Sequence, residues 1–209
     1  MRAAAVLATL FIAGCAASIT YRAAHVPDGS PRSVDHIKGR VLVYTTQTDD
    51  DRVIKPGATS PTAFEMTVQA GVMVREIAVT VFSRVADGAA ESHDLASAAR
   101  YAIVFRPEIE NMEYGFAHPE HLGVDVTPHV RVVMRITLLD AAGRTLLEKD
   151  YDSGAVSNGA SRVGKQLVER TDELAHEAIY ELMLRAARDI NLFQKTQAAV
   201  ESVNQTSDQ

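Results

Sequence analysis

A thiol, two close histidines, a run of carboxylates and a serine between glycines are the side chains whose spacing could do chemistry. The thiol is Cys15, the single cysteine, at the end of an apolar run from Ala3 to Ala13 that Arg2 precedes. His118-Pro119-Glu120-His121, with His129 farther on, offers imidazole and carboxylate, ligand types that zinc takes. The spacing is i, i+3 across a proline, whereas helical histidines that share a face stand i, i+4, so we read a solvated loop. Asp49-Asp50-Asp51 lines up three carboxylates but lacks the alternate spacing and closing glutamate of a calcium loop, and reads as a solvated turn. Gly159-Ala160-Ser161-Arg162-Val163-Gly164 approaches the nucleophile elbow, yet Val163 stands where glycine is required and no strand feeds a helix there. Neither G-x-G-x-x-G nor a P-loop occurs. The expectation is no catalytic residue, no metal site and no cofactor.

Cys15 reads differently. The run before it is too short to span a bilayer and fits the h-region of a secretory signal. Ile12-Ala13-Gly14-Cys15 resembles the bacterial lipobox, which implies cleavage before Cys15 and a diacylglycerol on its thiol. A signal peptide over residues 1–14 and lipidation at Cys15 follow; an unlipidated secreted form and an uncleaved anchor are the alternatives. Ala16 rather than Asp follows the cysteine, which by the same resemblance implies sorting to the outer membrane, facing the periplasm. A lone cysteine in an oxidising compartment forms no internal disulfide, and acylation would consume this one.

Charge narrows the partners. The 209 residues carry 21 Lys and Arg against 27 Asp and Glu, a formal −6, and loss of Arg2 with the signal makes it −7. An acidic chain without basic clusters argues against nucleic acid and against electrostatic adhesion to anionic lipid. Membrane attachment is left to the lipid. With 46% hydrophobic residues and no second long apolar stretch, one globular domain is the natural expectation.

The elements follow from periodicity. Residues 15–36, with Pro27-Asp28-Gly29-Ser30-Pro31, read as the lipidated N-terminus and a flexible tether. Residues 41–46 form a buried strand, 47–60 a loop, and 63–69 alternate as a half-buried strand. From 71 to 86, Val74, Ile77, Ala78, Val81, Phe82 and Val85 recur at helical spacing, and Gly88 is placed to end that helix. Residues 89–100 read as a connection and Tyr101–Phe105 as a central strand. Pro107 then marks an edge, bend or bulge. Residues 130–139 and 144–152 make a hairpin around Asp140-Ala141-Ala142-Gly143, followed by a glycine-rich loop. A second helix covers 171–191, lined by Leu174, Ala178, Leu182, Ala186 and Ile190, with Asp172 and Glu173 in its first turn. A single domain over 37–194 and a polar, frayed tail over 195–209 complete the chain. The fold class is α+β: a two-layer sandwich of a mixed, mostly antiparallel sheet with both helices on one face.

The lipobox at Ile12–Cys15 and this order of elements, with Val81-Phe82-Ser83-Arg84-Val85 closing the first helix, resemble small uncharacterised lipoproteins of the Gram-negative envelope. The layout is similar to the α+β domains of envelope assembly lipoproteins, including the amino-terminal domain of the Tol-system protein TolB and the curli-secretion lipoprotein. Paired membrane-crossing segments of the pore-forming members are missing, and the resemblance brings no catalytic residues. It implies a non-enzymatic lipoprotein, attached to the membrane through its lipid and acting with a protein partner in the envelope. The alternative is a periplasmic binding module for a lipid, a glycan fragment or a small solute, which would need a concave, mostly apolar pocket.

Overall fold

Strand pairing in the computed structural model starts earlier than the apolar periodicity does. The structure describes residues 17–28, 34–59, 65–117, 125–162 and 165–207. Strand β1 (Ala17–Ile19) and a 3-10 turn (Ala23–His25) occupy part of the stretch expected to be a flexible tether. β1 pairs in parallel with the strand Met66–Gln69, and Ile19 and Val26 are buried in the core, so residues 17–28 belong to the fold. A three-residue strand has no periodicity of its own; pairing and burial make it.

β2 (Val41–Tyr44) leads into α1 (Gln47–Asp50), a short helix inside the expected loop. Thr46 starts it with a capping box: its hydroxyl accepts the Asp49 N–H, and the Asp49 carboxylate accepts the Thr46 N–H. β3 (Val53–Ile54), β4 (Gly57–Ala58) and β5 (Met66–Gln69) follow, then α2 (Ala70–Val85). β5 buries Met66 and Val68 on one side, as period two requires. At the start of α2, a Cβ on Gly71 would stand 1.8 Å from the Asp49 carbonyl, so only glycine lets α1 and α2 approach this closely. Gly88 does not end α2 directly. The helix stops where Ala86 turns extended and bridges to Ile37, two residues earlier.

The expected connection after α2 contains β6 (Ala89–Ser92), parallel to β2, and a 3-10 turn (Leu95–Arg100). β7 (Ile103–Ala117) and β8 (Asp125–Leu139) are fifteen residues each and pair in antiparallel. Pro107 is tolerated because β2 pairs with β7 only as far as Phe105, and the register shift falls at Glu110. Asp140 closes the turn into β9 (Thr145–Asp152) by accepting the N–H groups of Ala142 and Arg144, with Gly143 at φ +78°. β10 (Val156–Ser157) and β11 (Ser161–Arg162) return to β8, so the glycine-rich loop is partly stitched to the sheet. α3 (Lys165–Ser207) takes in the whole expected second helix and most of the expected frayed tail.

The fold is α+β with mixed sheets: three strands in the order β1-β5-β3, and a larger sheet in which β8, β7, β2 and β6 are neighbours. The large apolar cluster joins alternate residues of β2, β7 and β8 to α2 and α3, with Phe82 and Phe105 in edge contact at 4.5 Å. A small second cluster, Leu42, Ala98, Val104 and Leu139, lies under the second 3-10 turn. Between residues 171 and 187, α3 exposes only Glu181 and Arg185. Such all-round burial needs more than a sheet and one helix, and the N-terminal segment supplies part of the cover.

Candidate functional site

Among the described residues, the sequence candidates are not brought together. Cys15, His118 and His121 lie outside the described residues. His129 is on β8, where the Thr59 hydroxyl donates to the Tyr114 carbonyl at 3.1 Å and stands 3.0 Å from the His129 Nε2. The three aspartates have separate partners. Asp49 caps α1 and faces Arg106 at 3.4 Å, buried Asp50 pairs with Arg75, and Asp51 accepts from the Gln47 amide. Ser161 sits in β11 opposite Val126, and α3 follows from Lys165, so contrary to expectation a strand does lead toward a helix here; the sequence still has Val163 where the elbow requires glycine.

A different cluster forms beneath the N-terminal segment. Asp172 and His176 lie one turn apart on the inner side of α3, both buried, and β1 and its following turn deliver Arg22 and His25 to them. Asp172 Oδ2 lies 3.2 Å from Arg22 Nε and 3.5 Å from His25 Nδ1. His176 Nδ1 is 2.9 Å from the Asp172 carbonyl and 3.1 Å from Asp172 Oδ1. On its other side, His176 Nε2 accepts the backbone N–H of Arg22 at 2.9 Å. The His25 and His176 rings meet edge to face at 5.3 Å, and Tyr21 lies against His176 with its hydroxyl 3.5 Å from Thr80 on α2.

Among the described residues, His25, Asp172 and His176 are the group whose potential metal-ligand atoms lie within 4.8 Å of one another. Part of this donor set is engaged within the protein. Because Nε2 of His176 accepts an amide hydrogen, its neutral ring carries the proton on Nδ1, the nitrogen that faces Asp172. Asp172 Oδ2 faces the Arg22 guanidinium, while Asp172 Oδ1 and His25 Nδ1 are buried without a hydrogen-bond partner. The Asp172–His176 pair does not form a catalytic dyad, since the nitrogen that would accept a nucleophile's proton is capped by backbone. The cluster holds chain to chain: a buried carboxylate must be paired, and its partners all lie on the segment after β1 or on α3. Sequence reading missed it because 147 residues separate His25 from Asp172 in the chain; the legible signal was a polar i, i+4 pair inside an apolar helix stripe.

Cavity geometry bears on ligand binding. The gap lined by Thr45, Ala70, Gly71, Val74, Pro107 and Ile109 holds about 10 Å³, room for no more than a water. Larger clefts are open to solvent. One of about 350 Å³ is lined by Asp125, Arg162, Glu169 and Arg170, and one of about 520 Å³ by Lys38, Phe193, Gln194 and Lys195.

No family profile matches the chain, and no curated protein sequence matches it. Among solved structures it is similar to a Xanthomonas campestris protein described by the family name DUF330, at 12% identity and TM-score 0.57, over 87% of this chain and 98% of that one. Uncharacterised lipoprotein B of Nitrosomonas europaea (12% identity, TM-score 0.41, 81% and 94% covered) and a minor lipoprotein of Acinetobacter baumannii (13%, 0.38, 75% and 94%) superpose more loosely. The first likeness establishes a shared fold; the looser two carry no argument.

Proposed function

We propose that the protein is a non-enzymatic envelope lipoprotein, anchored in the outer membrane through Cys15 and facing the periplasm, that serves as an accessory or assembly component by binding another protein. The observation that carries this reading is the large apolar side chains that the described residues leave on the outer surface. That surface offers β9, which pairs with β8 and is exposed at Leu146, and the far part of α3, exposed at Leu192. An uncovered strand edge and a projecting helix are features that protein partners use.

The test is crosslinking in intact cells, from photoreactive residues at Leu146 and Leu192, followed by mass spectrometry of what is captured. One envelope protein enriched from the wild type and lost with Cys15→Ser is the expected result. No enrichment over that control overturns the reading.

A further inference from the structure

The start of β1 identifies the end of the fold to which the chain from Cys15 arrives. Ala17 pairs with Met66 and donates its N–H to the Glu65 carbonyl at 2.8 Å. Two residues span at most about 7 Å, so Cys15 lies no farther than that from Ala17 along the chain. Other elements end beside Glu65. Tyr114 on β7 is close enough that Glu65, after burial, helps push its phenol up, and Thr59 donates its N–H to the Tyr114 carbonyl. β7 finishes at Ala117 opposite Thr127, and β11 meets the start of β8 at Asp125 just before α3 begins. The opposite end carries the Asp140–Gly143 turn and the starts of β2, β6 and β7. β8 alone puts about 45 Å between the two ends.

Two observations bear on the orientation of the domain. The segment after β1 is not slack: Tyr21 reaches Thr80, Arg22 and His25 are held on Asp172 and His176, and the Pro27 carbonyl accepts from Arg84. A free leash of roughly twenty residues would let the domain wander about 25 Å from its attachment; this chain has no such freedom beyond Ala17. Finally, the outward side of β7, β8 and β9 is acidic, with Glu110, Glu113, Glu148, Asp150 and Asp152 around Arg131 and Arg135. An acid excess on that flank disfavours lying flat on anionic headgroups.

Resting on the reading of Cys15 as lipidated, we infer that the domain stands upright on the bilayer surface, on the end formed by Ala17, Glu65, Ala117 and Asp125, and that the His25–Asp172–His176 cluster holds it there. The Asp140–Gly143 turn points away from the membrane.

The test uses full-length lipoprotein in vesicles of phosphatidylethanolamine and phosphatidylglycerol, some bearing a nitroxide headgroup. Single labelling cysteines replace exposed Glu65 or Ala141, since the lipid consumes the native thiol. A fluorophore at Glu65→Cys is quenched several-fold more than one at Ala141→Cys. Inserting a flexible Gly/Ser segment between Ala16 and Ala17, which leaves the fold untouched, removes that difference. Combining Asp172→Ala with His176→Ala lowers it while the lipid stays attached. Equal quenching at both positions on chains whose intact mass includes the diacylglyceryl group overturns the pose alone. An intact mass without that group overturns the lipidation of Cys15, and the pose with it.

Discussion

The backbone N–H of Arg22 points at Nε2 of His176, 2.9 Å away, and so joins the start of the folded chain to the middle of its longest helix across 154 residues of sequence. Few single contacts tie so much topology together. The same residue's side chain reaches Asp172, so Arg22 engages two of the buried polar residues of α3 at once.

Breaking this contact should free the segment before it unfolds the domain. Asp172→Ala leaves the Arg22 guanidinium without its ion-pair partner and should cost about 1–3 kcal/mol. Hydrogen exchange should show amide protection lost over residues 17–26 while β7 and β8 stay protected. Uniform loss of protection would mean that the segment and the sheet are one cooperative unit.

Val81 on α2 and Leu182 on α3 are fully buried in the shared core. Val81→Ala and Leu182→Ala should each destabilise by about 2–4 kcal/mol in urea unfolding. Losses below about half a kcal/mol at both would contradict their placement.

Gly71→Ala should also destabilise, for a different reason. Its new methyl collides with backbone rather than with a flexible side chain, so α1 must move away from α2. A thermal scan should show a lowered midpoint, and near-ultraviolet signals from the neighbouring core should change; an unchanged midpoint would refute the tight approach.

Asp152 gives a pH signature. Hydrogen bonds from Arg131 and then from the Gly154 N–H hold its carboxyl at about 2, below the ordinary carboxylate range. A depressed folded value means that the stabilisation is present above the unfolded value, near 3.9, and is lost as pH falls toward 2. The pair is half exposed, so the effect should stay under about 1 kcal/mol. Titration by NMR should find the low midpoint in the wild type and a higher one in Arg131→Ala, where the Gly154 N–H still holds it below the ordinary value.

Cys15→Ser removes the thiol that would carry the lipid while leaving the apolar run intact. Labelled fatty acid should mark the wild type only, and the variant should accumulate as precursor or leave the membrane fraction. Equal labelling of both would sink the lipidation reading.

What was legible in the sequence is what repeats along it. α2 and the β8–β9 hairpin announce themselves because four or more residues in regular alternation face one core. β1, β6, β10 and β11 have two to four residues each and acquire their conformation from a neighbour, which a linear pattern does not contain. α3 outruns its apolar stripe for two reasons. Gln, Lys, Ala and Glu are good helix formers, and Asn191, Gln194 and Lys195 bind backbone or carboxylate groups of residues 35–38, so the polar extension still has structural contacts. The clamp on Asp172 was invisible because its partners come from a stretch that composition marks as linker.

The parallel pairing of β1 with β5 also decides how the fold bears tension. A pull on the chain ahead of Ala17, directed along the strand, loads the bonds to β5 in shear, so they must yield together rather than peel one at a time. Behind them the Arg22 and His25 contacts form a second stage. A load entering at this terminus therefore meets graded resistance from β1 and its clamp before it reaches the core of α2, α3 and the large sheet.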